Sequence, residues 1–187
     1  MSNNWLAPFG LSDCKVQTWS SAGTYSGSIT DVPSVQSLQT TLQFTQAQLT
    51  GDDMITATAG RAIGATCKLR FGGLHFDALG VILGITATTI SSVYQFGMAG
   101  GKRMPYFGII GKALVEEPAG HDLWLYLAKC KLMSDFTLMQ NEYGAFTIPE
   151  VTVQIVPDTS YGIFNEIEHL SDTAITVMPP ANIALVS

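Results

Sequence analysis

The stretch "GATCKLRFGGLHFDALGVILG", Gly64 to Gly84, contains the change of period that decides the fold. Ala65, Cys67, Leu69 and Phe71 point one way while Thr66, Lys68 and Arg70 point the other, which is the alternation of a half-buried strand. Gly72 and Gly73 turn the chain. In "LHFDALGVILG" the residues Phe76, Leu79 and Leu83 then recur at helical spacing, and Gly84 is a natural C-terminal stop. The reading is a strand that feeds one short helix.

Before this stretch, "TLQFTQAQL" alternates Leu42 and Phe44 with Gln and Thr, again with period two. From Val16 to Gly51 the only charged residue is Asp31, and the segment reads as a β arm or hairpin with a polar, uncharged face, residues 1–34 being an N-terminal arm. Residues 50–64, rich in Gly, Thr and Ala, are read as a long inter-strand loop with Asp52 and Asp53 at its wet tip. After the helix, "YFGIIGKALV", "DLWLYLAKCKLM" and "FTIPEVTVQIV" are rich in aromatic and branched residues and are separated by turn residues, with "AITVM" and "IALV" closing the chain. In "LWLYLAKCK" a strict alternation puts Lys129 and Lys131 on the face of Leu123, Leu125 and Leu127. The expected fold is mainly β, a β-sandwich or barrel of antiparallel strands flanked by one short α-helix, in a single domain spanning 1–187.

Composition narrows the function. Charged residues are 13 % of the chain, about half the usual share, so few charges are available to cover its surface and an obligate oligomer is expected. The net charge of −6 disfavours sequence-independent DNA binding by the chain as a whole. Cys14, Cys67 and Cys130 are odd in number and far apart, which fits a reducing compartment and not a disulfide framework or zinc knuckle. "MSNNWLAPFG" has no basic region followed by an apolar one, so no signal peptide is expected. The apolar run from Leu74 to Ala87 carries His75 and Asp77 and is too short for a membrane span.

Candidate chemistry is sparse. In "GMAGGKR" three residues separate Gly97 from Gly101 where a phosphate-binding loop needs four, and Arg103 replaces the required hydroxyl; a mobile basic loop is the reading. "SDCK" and "DTS" read as turns, because each lacks the partner motif its chemistry needs. His75, His121 and His169 have no metal-ligand spacing, and "NEIEHL" reads as a solvated acidic loop. No enzyme, cofactor or metal is expected.

The order of pieces resembles the phage tail tube proteins, above all the major tail proteins of long-tailed phages, which are related in fold to the type VI secretion tube protein. The resemblance runs from about Val35 to Ala181 through "LTGDDM", "GATCKLRFGG", "LHFDALGVILG", "MPYFGIIGKAL", "HDLWLYLAKCKL" with "SDFTL", "YGAFTIPEVTVQIVPD" and "TVMPPA". It implies a structural virion protein without catalytic activity, made in the bacterial host cytoplasm and built into the phage tail. Its subunits would form six-membered rings stacked into a tube that conducts DNA. The partners implied are other copies of the chain, tape-measure and tail-completion proteins, and passing DNA bound without sequence specificity. No membrane insertion is implied. The inner tube of a contractile or secretion-type machine is an alternative, and a small-ligand-binding β-barrel is one of another class. A tube subunit would use Gly51, Asp52, Asp53 and Met54 for ring stacking, with Lys102 and Arg103 at a subunit contact opposite acids such as Asp52 and Asp53.

Overall fold

Alternation along the chain becomes a ladder of antiparallel strands. The structure, a computed structural model, describes residues 7–51, 54–73, 75–86, 88–117, 120–133, 135, 137, 148–170, 172–180 and 183. In chain order the elements are β1 (Ala7–Ser21), β2 (Thr24–Asp31), β3 (Val35–Gly51), β4 (Met54–Phe71), α1 (Phe76–Leu83), β5 (Thr88–Ile90), β6 (Val93–Gln95), β7 (Phe107–Glu117), β8 (His121–Leu132), β9 (Glu150–Ile155) and β10 (Asn165–His169). Eight of the strands make one sheet in the order β2-β1-β7-β8-β9-β4-β3, with β10 added to β8, while β5 and β6 form a separate ribbon. This is the mainly β, antiparallel architecture with one short helix that the sequence predicts.

The sheet curls around its larger core. Cys14 and Val16 of β1, Ala65, Cys67, Leu69 and Phe71 of β4, Phe107 and Ile109 of β7, and the valines and isoleucine of β9 all point into it. Curling brings Leu38 of β3 over β7, where a Cβ on Gly111 would lie 2.4 Å from Leu38 Cδ2, so a larger residue there would oblige Leu38 to shift. Helix α1 plugs the curl with Ala78, Leu79, Ile82 and Leu83. Eight residues are too few for a helix to persist in water, so packing holds it. Its end is set as expected: Gly84 takes φ 66° and donates its N–H to the Gly80 carbonyl.

A second, smaller cluster lies on the outer face of β7 and β8. Ile110, Trp124, Tyr126 and Ala128 are covered there by Tyr161, Ile175 and Met178. One strand serves both clusters because β8 contains a bulge. Ile109 pairs with Leu127 but Phe107 with Cys130, so two residues advance on β7 against three on β8. The extra residue reverses the parity of β8, and Cys130 and Leu132 turn into the core that Leu127 also fills.

Four sequence readings are corrected. Residues 7–31 of the expected N-terminal arm are β1 and β2, and β1 lies inside the sheet between β2 and β7. Cys14 and Val16 point into the core and Gln17 is buried as well, so low charge marks a strand held inside the sheet and not a free arm. Residues 54–64 of the expected loop belong to β4, which pairs with β3 from Gly51↔Met54 to Val35↔Phe71 with three shifts of register along the way. Lys129 and Lys131 do not share the face of Leu123, Leu125 and Leu127, because the bulge intervenes. Finally, "AITVM" forms no strand; residues 172–180 run irregularly across the smaller cluster.

Candidate functional site

The β3–β4 hairpin is the feature with the clearest functional content. Only the inner part of β4, Ala65 to Arg70, pairs on its other side with β9. From Gly64 out to Met54 the strand has β3 alone as a partner, a span of about 33 Å at the usual rise per residue. Along this ribbon Phe44 and Ile63 are 58 % and 53 % exposed, and Leu42 is 37 % exposed. Arg61 is its one charged residue among the described residues. A lone two-stranded hairpin is marginal in water, and an uncovered strand edge is a template for pairing. β2 and β3 are the two ends of the sheet path, so among the described residues each carries an outer edge with no strand against it.

The predicted contact residues are only partly brought together. Gly51 and Met54 are cross-strand partners at the hairpin end, whereas Asp52 and Asp53 lie outside the described residues. Lys102 and Arg103 are exposed on the loop after β6. There the Lys102 ammonium donates to the Gly84 carbonyl, where a cation favourably meets the negative end of α1. That contact ties Lys102 to the helix end; no hydrogen bond or ion pair among the described residues joins it or Arg103 to the hairpin.

The polar groups dismissed as catalytic are in structural roles. Asp158 accepts from the backbone N–H of Ser160 at 2.8 Å and from Trp19 Nε1 at 3.1 Å, which makes "DTS" a pinned turn. Ser12 Oγ donates to the Lys112 carbonyl at 3.2 Å, away from any Lys15 chemistry, and Lys15 pairs with Asp13 and Asp31. "NEIEHL", expected as a loop, is instead strand β10 paired with β8; there His121 meets Glu168 at 2.8 Å, and the ring of His169 lies 4.0 Å from that of Trp124. Among the described residues no group of three His, Cys, Asp or Glu is placed to hold a metal, and no helix is long and apolar enough to cross a membrane.

Two arrangements escaped the sequence reading. Lys112 of β7 is buried and meets Asp122 Oδ2 at 3.0 Å and the Asp172 carboxylate, and it donates to the Thr173 carbonyl at 3.0 Å. Burial pulls the Lys112 ammonium down, but the bonds from Asp172 and Asp122 outweigh it and hold the group above its ordinary value. The Lys112 bond in turn holds Asp172 below its ordinary value. A lysine within the apolar "GIIGKALV" was the available signal, since buried lysines need carboxylate partners. The second arrangement is aromatic: Lys129 Nζ sits 4.3 Å over the ring of Trp19 and 4.7 Å over that of Tyr106, with Lys131 Nζ 5.0 Å over Tyr106.

The three thiols are all fully buried in the main core. Burial pushes Cys14 and Cys130 up and raises Cys67 to about 12, so none is poised as a nucleophile. A groove of about 400 Å³ runs between Pro8, Leu11, Leu38, Ala113, Leu123 and Leu125, open to solvent. Among known proteins, no family model and no curated sequence matches this chain.

Proposed function

We propose that the chain is a structural subunit that assembles with copies of itself, as the tail tube subunit of a tailed phage. One observation carries the reading: a hairpin whose strands carry Arg61 as their one charge among the described residues stands about 33 Å off the body with Phe44 and Ile63 uncovered. The described strands of such a ribbon lose little by being buried against protein, because they have one ion to desolvate. The open edges of β2 and β3 supply a second reason for closure through neighbours, and a ring is the symmetric way to pair both. The order of sequence pieces that resembles tail tube proteins supports the particular assembly. The inner tube of a contractile or secretion-type machine shares all of these features.

The test is electron microscopy of the purified protein, with the expectation of rings or tubes of uniform width. The variant F44S/I63S should retain the monomer fold, since both side chains are more than half exposed, and should lose the tubes. Tubes of unchanged length and number from that variant would remove the hairpin from the contact.

A further inference from the structure

The cations of this acidic chain are not spread evenly. Directly opposed residues in neighbouring strands share a face of the sheet. Lys131 opposes Gln154, which opposes Thr66; Thr152 opposes Lys68, which opposes Gln39; Glu150 opposes Arg70, which opposes Ser37. Lys129 stands two residues before Lys131 on the same side, beyond the β8 bulge. Four of the nine Lys and Arg residues therefore occupy the outer face of β8, β9, β4 and β3. Within each pair the two cations are about 7 Å apart along the strand, within the screening length of about 8 Å at physiological salt. The register sets Lys131 level with Thr66, so the two pairs are offset along the strands, about 12 Å apart from Lys131 to Lys68 and about 22 Å from Lys129 to Arg70, and form a diagonal line of charge.

Among the described residues, the one carboxylate in ion-pair contact with these four cations is Glu150. Glu150 lies 3.9 Å from Lys68 and 3.6 Å from Arg70, with all three side chains roughly half exposed. Lys129 and Lys131 rest on the rings of Trp19 and Tyr106 and have no ion-pair partner among the described residues. Elsewhere several acids are engaged at home: Asp13 and Asp31 with Lys15, Asp122 and Asp172 with Lys112, and Glu168 with His121. A face with paired cations in two columns, interleaved with Thr and Gln donors and flanked by two aromatic rings, suits a repeating polyanion.

We propose that this face binds nucleic acid through its phosphodiester backbone, with Lys68, Arg70, Lys129 and Lys131 as the phosphate contacts. Binding is independent of base sequence, because backbone contacts position the duplex and carry no sequence information. This goes beyond the tube reading and does not require it: the net charge of −6 describes the whole chain, while the contact depends on the local field.

The experiment is fluorescence anisotropy of a labelled DNA duplex of about 30 base pairs, titrated with freshly purified full-length chain between about 50 and 200 mM salt, where four phosphate contacts predict a log–log slope of about −3.6 and a loss of affinity of about 150-fold. K68Q/R70Q, which changes two exposed side chains, should lower the slope to about −1.8 and the loss to about 12-fold. E150Q, which frees both cations, should tighten binding, and K102Q/R103Q should leave it unchanged. Absence of binding at the lower salt, or wild-type binding by K68Q/R70Q, overturns the proposal. So does dispersal of an assembled protein by K68E/R70E without any DNA binding by the wild type, because the face would then be a contact between copies. Tubes that persist in K68Q/R70Q while DNA binding falls support the proposal. DNA binding by a protein that never forms tubes leaves it standing and sinks the tube reading instead.

Discussion

Replacing Lys112 by methionine removes a buried cation and strands a buried anion. Asp122 is 1 % exposed, accepts from Lys112 Nζ at 3.0 Å and from the Thr173 N–H at 2.8 Å, and leaves its Oδ1 without a partner. Without the ammonium, the carboxylate must either remain charged in the core or take up a proton on folding. Breaking a buried pair from one side costs about 3–5 kcal/mol. Protonation gives an independent ceiling: holding an ordinary aspartate neutral at about pH 7 costs about 4 kcal/mol, but only about 1 kcal/mol at pH 4.5. K112M should therefore lose about 4 kcal/mol at neutral pH, and most of that loss should vanish near pH 4.5. Urea unfolding followed by tryptophan fluorescence at both pH values measures it. K112M/D122L, which removes both charges, should recover much of the loss at neutral pH. A K112M penalty that is below about 1 kcal/mol at pH 7, or equal at both pH values, would refute the stranded-charge reasoning.

Two further outcomes test the packing. G108A places a Cβ 2.5 Å from Met178 Sδ and 2.6 Å from Tyr25 Cε1, and Tyr25 cannot yield easily because its hydroxyl is hydrogen-bonded to the Ala128 carbonyl. A loss of about 1–3 kcal/mol in thermal or urea unfolding is expected. The thiols set an alkaline limit. Burial raises Cys14, Cys67 and Cys130 in the fold, so above the ordinary value of 9.0 only the unfolded chain gives up these protons. Their contribution is complete below pH 9.0 and drains as pH rises, at about 1.4 kcal/mol per thiol per pH unit. C130A should show a shallower alkaline fall in stability, and an unchanged slope would count against burial as its cause.

The parts of this fold that could be read from the chain are those where burial leaves a side-chain pattern. Residues 65–71 alternate because one face meets the core, and α1 ends at Gly84 because the chain needs a left-handed residue there. The outer hairpin leaves no such pattern. Residues 58–63 are exposed on both faces, so Gly, Thr and Ala suffice, and the backbone bonds that make it a strand have no side-chain signature. The parity of β8 was misread for a related reason: a bulge of one residue changes no composition yet moves Lys129 and Lys131 to the other face. Lys112 was visible as an anomaly, but its partners lie 10 and 60 positions further along the chain. The basic face was hidden in the same way, since β8 and β4 are far apart in sequence and become near neighbours only through β9.

The hairpin is also a lever. Its outer part is held to the body only through its root, where β4 meets β9 at Ala65. A bend of about 10° at that root carries the far end through about 6 Å, given a reach of about 33 Å. The end therefore sweeps a disc wider than a side chain, which enlarges the area over which a partner can first be touched. Fixing it afterwards costs the freedom of one hinge and not of some twenty separate backbone positions. A stiff arm of this kind makes first contact early and sacrifices little entropy when it is captured.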